Sequence, residues 1–383
     1  MRLLLSILFL CCSFFLKGTH IIGGVAQYAV VDASDALSTS VRLTFTLYRD
    51  ALSSGAGFDI LTTFGIYQKD TNGDYIYIGE EQVNDHSDPS VFNFDANYVL
   101  QSADYTFEVN LDKGSDYIIA YQRCCRSILT TNIQNDETGF AIQLELFSEA
   151  LEVEIDSPAV IGIPFAEANL GEDISYQLPI TSDTQTVVST HFTSAFIAGG
   201  SFDSTGPNAG AIGCCDCVRP NPSLCNPPFK SILFANGYSD EDPFGDENNI
   251  RLNSDGLITG EINLASIYHY GIAIESRVNG QLLSRQILDN TTRALFTSTT
   301  KDVEQLSFEI LPNPASDLLE INVADYKDLR LEIIDSQGHL IMNKVLIKTN
   351  TTLAVNNLDS GIYFATVMNT DNSQRQTQKF IIK

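Results

Sequence analysis

Between residues 41 and 47 the chain reads Val-Arg-Leu-Thr-Phe-Thr-Leu, which puts Val41, Leu43, Phe45 and Leu47 on one face of an extended strand. The same period of two recurs at 65–69, 75–79, 105–111, 117–122 and 140–147. Between the 65–69 and 75–79 runs lies Asp70-Thr-Asn-Gly-Asp74, whose Asn72-Gly73 pair tolerates the positive φ of a tight hairpin turn. No stretch here keeps a 3.6-residue period with caps. The alternation therefore predicts an antiparallel β-sandwich over 19–150.

Residues 151–296 repeat the pattern, with strands predicted at 175–178, 186–196, 250–252, 271–278 and 282–288. A Gly-, Pro- and Cys-rich run at 199–229 interrupts them. It is too long for an ordinary connection and reads as an Ω-like excursion closed by its cysteines. The polar, Thr-rich segment 297–306 predicts a linker. Beyond it, 317–323, 329–334, 339–342, 362–367 and 379–383 alternate again, with turns at Ser336-Gln-Gly338 and Leu358-Asp-Ser-Gly361. The expected fold class is all-β: consecutive antiparallel Ig-like or cadherin-like β-sandwich domains at 19–150 and 151–296, then a small C-terminal β-sandwich at 307–383.

Composition narrows the function classes. Of 383 residues, 44% are hydrophobic and 18% charged, which suits packed cores and excludes disorder for most of the chain. Lys and Arg number 22 against 48 Asp and Glu, and a net charge of -26 repels phosphate backbones and anionic lipid. No nucleic-acid partner is expected. The acidity is spread through Gly-, Asn-, Ser- and Thr-rich sequence, as on a solvated extracellular surface.

Residues 1–18 read as a secretory signal, with Arg2 as the positive start and an apolar run from Leu3 to Leu16 that is short for spanning a bilayer. Cys11 and Cys12 in that run suggest a lipoprotein signal as the rival, but Leu10 is not the small residue that should precede a lipidated Cys. No other apolar stretch reaches spanning length, so no transmembrane segment is expected after signal removal. Six cysteines remain: Cys124, Cys125, Cys214, Cys215, Cys217 and Cys225. An even number in an exported chain reads as disulfides. Because adjacent cysteines strain the peptide bond between them when bridged, Cys124 and Cys125 are each expected to reach the 214–225 cluster, with the last two closing a short loop. A metal site at Cys214, Cys215, Cys217 and Cys225 is the weaker alternative, since no His joins them.

Candidate chemistry is sparse. His20-Ile-Ile-Gly-Gly24 looks like the new amino terminus of a chymotrypsin-like protease, but no matching nucleophile stretch follows. None of His20, His86, His191, His269 and His339 stands in a Gly-x-Ser-x-Gly or His-Glu-x-x-His context. There is no P-loop and no dinucleotide fingerprint. Calcium is the one candidate cofactor: Asp240, Glu241, Asp242, Asp246 and Glu247 place five carboxylates in eight residues, and Asp240, Asp242, Asp246 and Glu247 are the candidate ligands. A solvated, self-repelling acidic loop is the competing reading. Asp70, Asn72, Asp74 and Glu81 faintly echo an EF-hand loop, but Gly73 is misplaced and a hairpin turn explains them.

Two resemblances cover nearly the whole chain beyond the signal. Leu311-Pro-Asn-Pro-Ala315 followed by Leu319-Glu-Ile, Ile334-Asp-Ser-Gln-Gly338, Leu358-Asp-Ser-Gly-Ile-Tyr363 and a strand ending in Lys383 resemble the C-terminal sorting domain of proteins exported by the type IX secretion system of Gram-negative bacteria. The sorting-motif residues are then Pro312, Asn313, Pro314, Asp335, Gly338, Gly361, Tyr363 and Lys383. The resemblance implies export to the periplasm, reading by the outer-membrane machinery, and release or anchoring to surface polysaccharide. Thr19-His-Ile-Ile-Gly-Gly24, Tyr48-Arg-Asp50, Phe58-Asp59, Tyr121-Gln-Arg-Cys-Cys-Arg126, Glu137-Thr-Gly139, Asn226-Pro-Pro228 and Ala235-Asn-Gly-Tyr238 resemble the opening module of large gliding-associated surface proteins and adhesins of such bacteria. Ala51 stands where that family commonly has Cys after Tyr-Arg-Asp, and Asn169-Leu-Gly-Glu-Asp173 replaces its Asp-Gly-Asp loop, so its disulfide scheme and calcium site do not carry over.

These readings converge on an exported, non-catalytic binding or adhesion module on the outer surface or secreted. Its partners are the type IX machinery and an unidentified surface polysaccharide or other extracellular ligand. An extracellular hydrolase acting on polysaccharide or peptide and a structural matrix component are the alternatives.

Overall fold

The computed structural model describes residues 21–52, 57–95, 98–124, 126, 130–134, 138–200, 214–295, 308–323, 329–336, 339–369 and 375–383. The signal segment 1–18 and the linker 297–306 lie outside them. The described residues are strands and turns with one short 3-10 turn, Ser148–Leu151, and no helix long and apolar enough to cross a membrane. The chain divides into two compact units, Met1–Thr297 and Ser298–Lys383.

The first unit opens with β1 (Ile21–Asp32), β2 (Ser38–Asp50), β3 (Thr62–Lys69), β4 (Tyr75–Val83), β5 (Ser90–Asp95), β6 (Tyr98–Asp112), β7 (Tyr117–Arg123) and β8 (Phe140–Leu146). It continues through β9 (Ala159–Val160), β10 (Glu167–Asn169), β11 (Asp173–Gln177), β12 (Ile180–Thr181), β13 (Val187–Thr193), β14 (Asn249–Leu252) and β15 (Leu257–Glu261). It closes with the long hairpin of β16 (Ser266–Val278) and β17 (Gln281–Leu295). The main sheet runs β4-β3-β7-β8-β17-β1-β2-β6-β5, with β10 and β16 also on β17 and β13 on β16. Strands from 151–296 thus enter the sheet of 19–150, and the expected boundary near residue 150 does not separate two folds. The cause is β17, which pairs with β8 at Ser284–Gln286, with β1 at Asp289 and with β16 along most of its length.

Two cores lie on opposite faces of this sheet. Val41, Leu43, Phe45 and Leu47 of β2 meet Phe64, Ile119, Ile142 and Leu144 in the first. Ile22 and Val25 of β1 join Tyr268, Tyr270, Ile272 and Leu288 in the second. Because Ile21, Ala26 and Tyr28 of the same strand belong to the first core, β1 is buried on both faces and shows no polar alternation. Its close approach to β17 depends on glycine: a Cβ at Gly23 would collide with the backbone carbonyl of Asp289. The hairpin between β3 and β4 forms as expected. Gly73 has φ 94°, and Asp70 Oδ1 accepts from the backbone N–H groups of Asn72 at 2.8 Å and Asp74 at 2.9 Å.

The second unit is a small sandwich. One sheet joins β18 (Phe308–Leu311), β19 (Leu318–Val323) and β22 (Asn350–Ala354). The other has the order β21-β20-β23-β24, with β20 (Leu329–Asp335), β21 (Leu340–Val345), β23 (Gly361–Asn369) and β24 (Arg375–Ile382). Their inward side chains, among them Leu319, Ile321, Leu331, Ile333, Val367 and Phe380, form one apolar core.

Candidate functional site

The segment Tyr121-Gln-Arg-Cys-Cys-Arg126 leaves the end of β7 and anchors the polar structure of the first unit. Arg123 holds Asp59 with two parallel hydrogen bonds, Nε to Oδ2 at 2.7 Å and Nη2 to Oδ1 at 3.2 Å. Its remaining Nη1 donates to the Val218 carbonyl at 2.9 Å. Arg219 adds a second cation, Nη2 to Asp59 Oδ1 at 3.0 Å, with 57% of its side chain exposed against 14% for Asp59. Tyr121 donates to Asp59 Oδ2 at 3.4 Å; burial first, and the Asp59 charge second, push its hydroxyl pKa far up, so it stays a neutral donor. Gln122 binds the base of the Cys-rich excursion, Nε2 to the Cys225 carbonyl at 3.1 Å and Oε1 accepting from Gly199 N–H at 2.9 Å.

These groups floor a cleft of about 460 Å³ between β3, β4, β7 and the excursion. Its rim carries Tyr77, Glu80, Asn221 and Ser223, and Tyr77 donates to Glu80 Oε2 at 3.2 Å. Sequence reasoning did not single out this site. Phe58-Asp59 and Tyr-Gln-Arg were visible as family-like motifs, but Arg219 carried no signal beyond being a cation inside the Cys- and Pro-rich run.

The second motif arginine goes elsewhere. Arg126 Nη1 lies 2.9 and 2.7 Å from the two Asp289 oxygens, Nη2 donates to the Phe196 carbonyl at 2.7 Å, and Nη1 also contacts His269 Nε2. His269 Nε2 is 3.1 Å from Asp289 Oδ1, and its Nδ1 is 3.0 Å from Thr291 Oγ1. Burial would raise the Asp289 pKa, but Arg126 and then His269 outweigh it and hold the carboxyl below its ordinary range. Burial, followed by the Arg126 charge, lowers the His269 pKa and favours neutral imidazole. Thr291 lies beside His269 and Asp289 as a nucleophile would, but its Oγ1 donates to the Ile22 carbonyl at 2.8 Å and so accepts from His269 Nδ1, and His269 and Asp289 are each 1% exposed.

Cys214 pairs with Cys217 and Cys215 with Cys225, at Cα separations of 5.6 and 5.5 Å. These two bridges lie within the cluster, where the sequence had suggested links to Cys124 and Cys125. Cys124 is buried and disulfide-bonded, and its N–H donates to the Val218 carbonyl at 2.9 Å. Hydrogen bonds from Cys124, Gln122 and Arg123 join the two segments. Cys125 and the excursion residues 201–213 lie outside the described residues. Cys214, Asp216 and Cys217 place three potential ligand atoms within 4.8 Å of one another, but the two sulfurs are joined as cystine.

Asp240, Glu241, Asp246 and Glu247 are exposed on the loop before β14, while Asp242 is half-buried. Asp242 Oδ1 accepts from Gly245 N–H at 3.1 Å, closing the turn. Glu241, Asp242 and Asp246 border a shallow cleft of about 910 Å³ with His191 and Arg251. Among the described residues, the carboxylates of this run do not form a group of three ligand atoms within 4.8 Å.

In the second unit the motif residues hold the sandwich closed. Asn313, between Pro312 and Pro314, accepts at Oδ1 from Ile381 N–H at 3.0 Å and donates to the Lys379 carbonyl at 3.2 Å. Lys383 N–H donates to the Ala315 carbonyl at 2.9 Å, so the last residue pairs beside the Pro-Asn-Pro segment. Asp335 Oδ1 accepts from His339 N–H at 2.9 Å, spanning the turn before β21, and Tyr363 donates to the Asp359 carbonyl at 2.8 Å just before Gly361. Gly338 lies outside the described residues.

Residues 309–383 match the family model described as the secretion system C-terminal sorting domain. The chain that bears it is a secreted or outer-surface protein of the type IX secretion route. No curated protein matches the chain. Among solved structures, a three-immunoglobulin-domain segment of titin, in a mutated variant, is 10% identical with a TM-score of 0.17, covering 90% of this chain and 92% of its own. PorZ, a surface component of the type IX secretion system of Porphyromonas gingivalis, is 10% identical with a TM-score of 0.20; 93% of this chain aligns with 45% of PorZ. The BSP domain of a biofilm-associated protein is 8% identical with a TM-score of 0.17, over 99% of this chain and 69% of that one.

Proposed function

We propose that this protein is a non-catalytic binding or adhesion module, delivered by its C-terminal sorting domain and taking an extracellular ligand in the cleft above Asp59. The observation that carries the reading is the construction of that cleft. A rigid ion pair forms the floor, the exposed Arg219 and the rim groups of β4 surround it, and a loop stapled by two disulfides supplies one wall. Preorganised polar groups on a rigid scaffold suit recognition, since little ordering entropy is lost when ligand binds. The catalytic alternative has less to support it, because Thr291 donates to the Ile22 carbonyl and not to His269, and all three side chains of the trio are buried.

The test uses cells of the exporting bacterium with and without the gene, and the purified chain on arrays of extracellular glycans and matrix proteins. Retention of a ligand by the wild type, with loss on Arg219→Gln and no turnover of bound material, is the expected result. Turnover without stable retention would favour the hydrolase.

A further inference from the structure

We infer that the Asp59 cleft takes a carboxylated sugar, an isolated uronate unit in an otherwise neutral glycan; this rests on the binding-module reading above. Asp59, Arg123 and Arg219 form a floor with one negative and two positive charges, in a chain of net charge -26. Arg123 is spent on Asp59 and the Val218 carbonyl through all three nitrogens. Arg219 is not: among the described residues it donates only from Nη2, and its side chain is 57% exposed. Its Nε, its Nη1 and the second Nη2 proton remain, so one edge of the guanidinium, Nη2 with Nε or Nη2 with Nη1, is open to a planar anion, and a guanidinium pairs bidentately with a carboxylate far better than with a hydroxyl.

The rest of the lining selects among carboxylates. Glu80 is a hydrogen-bond acceptor already oriented by Tyr77, and Asn221 and Ser223 bring amide and hydroxyl groups. An acceptor carboxylate beside a cation suits a ligand whose acid group is ringed by hydroxyls, as in a hexuronate. Leu61, Pro220 and Pro222 also line the cleft and can pack on a sugar ring, whereas a peptide carboxyl terminus brings no ring of hydroxyls to Glu80, Asn221 and Ser223. The remaining acidity of the chain disfavours a continuous polyuronate, whose successive charges would be repelled, and leaves a single acidic unit as the fitted case.

The experiment titrates the purified full chain with a neutral oligosaccharide carrying one glucuronate, with the same compound after carboxyl reduction, and with a peptide bearing a free carboxyl terminus. Carboxyl reduction is expected to weaken binding at least tenfold. Arg219→Gln should erase that difference, whereas Arg42→Gln, which alters an exposed ion pair with Glu108 on the main sheet, should leave it intact. Equal affinity for acid and reduced sugar would overturn the inference while the binding-module reading stands. Binding of the peptide alone, sensitive to Arg219→Gln, would overturn it in favour of a protein ligand. Failure of all three probes, together with empty arrays, would remove both readings.

Discussion

The two units specify their folds by different means. In the sorting unit, Asp335 with His339 and Tyr363 with Asp359 are hydrogen bonds between residues four apart, Asn313 reaches across to Lys379 and Ile381 through neutral amide bonds, and the core is apolar apart from Thr351. In the first unit the decisive polar contacts join residues far apart in sequence: Arg126 with Asp289, Arg123 with Asp59, and Gln122 with Cys225. Local turns and neutral contacts over a largely apolar core let most pieces of sequence carry their own instruction. A buried charged network ties together segments that cannot be read in isolation, and it exposes the unit to a large loss if one partner is removed.

The sharpest way to break the contrast is Asp289→Asn. It leaves Arg126 buried without its counter-charge, and urea unfolding should show a loss of about 3–5 kcal/mol. Acid should act through the same network. The depressed His269 pKa means that the unfolded chain takes up a proton first, so stability falls as pH drops below the ordinary histidine value of 6.5. The depressed Asp289 pKa keeps its stabilisation above the ordinary carboxylate value of 3.8, and that is lost as pH falls through the lower folded value. His269→Gln should flatten the upper part of this slope in a pH series of melting curves; an unchanged slope would show that other groups set it.

Replacing both Cys215 and Cys225 by Ser opens a loop of sequence separation 10 and should cost about 2–3 kcal/mol, read as a lowered urea midpoint. Gly23→Ala forces β1 away from the Asp289 backbone, with an expected loss of about 1–3 kcal/mol by the same measurement. In the sorting unit the corresponding effects are smaller. Asn313→Ala removes two hydrogen bonds to β24 and should cost about 1–2 kcal/mol in the melting of that unit, with reduced surface display on fractionating cells. Arg42→Gln, breaking an exposed pair at 2.7 Å, should change stability by less than about 1 kcal/mol. An Asn313→Ala loss as large as that of Asp289→Asn would erase the distinction between the units.

The sequence determined the all-β class, the hairpin at Asn72-Gly73 and most strands, because a strand buried on one face must alternate and a tight turn needs particular residues. It also determined the sorting unit, whose signals are short and contiguous. β1 escaped the pattern because both faces are buried, and the short β22 because its Thr-rich run has little apolar contrast. Only the tertiary structure decided that residues 19–150 and 151–296 share a sheet. It alone decided that the Cys214–Cys225 cluster closes on itself, and that Arg219 stands over Asp59 at a sequence distance of 160. Strand partners and long-range ion pairs depend on which surfaces the whole chain can bury together, and no local window of sequence contains that information.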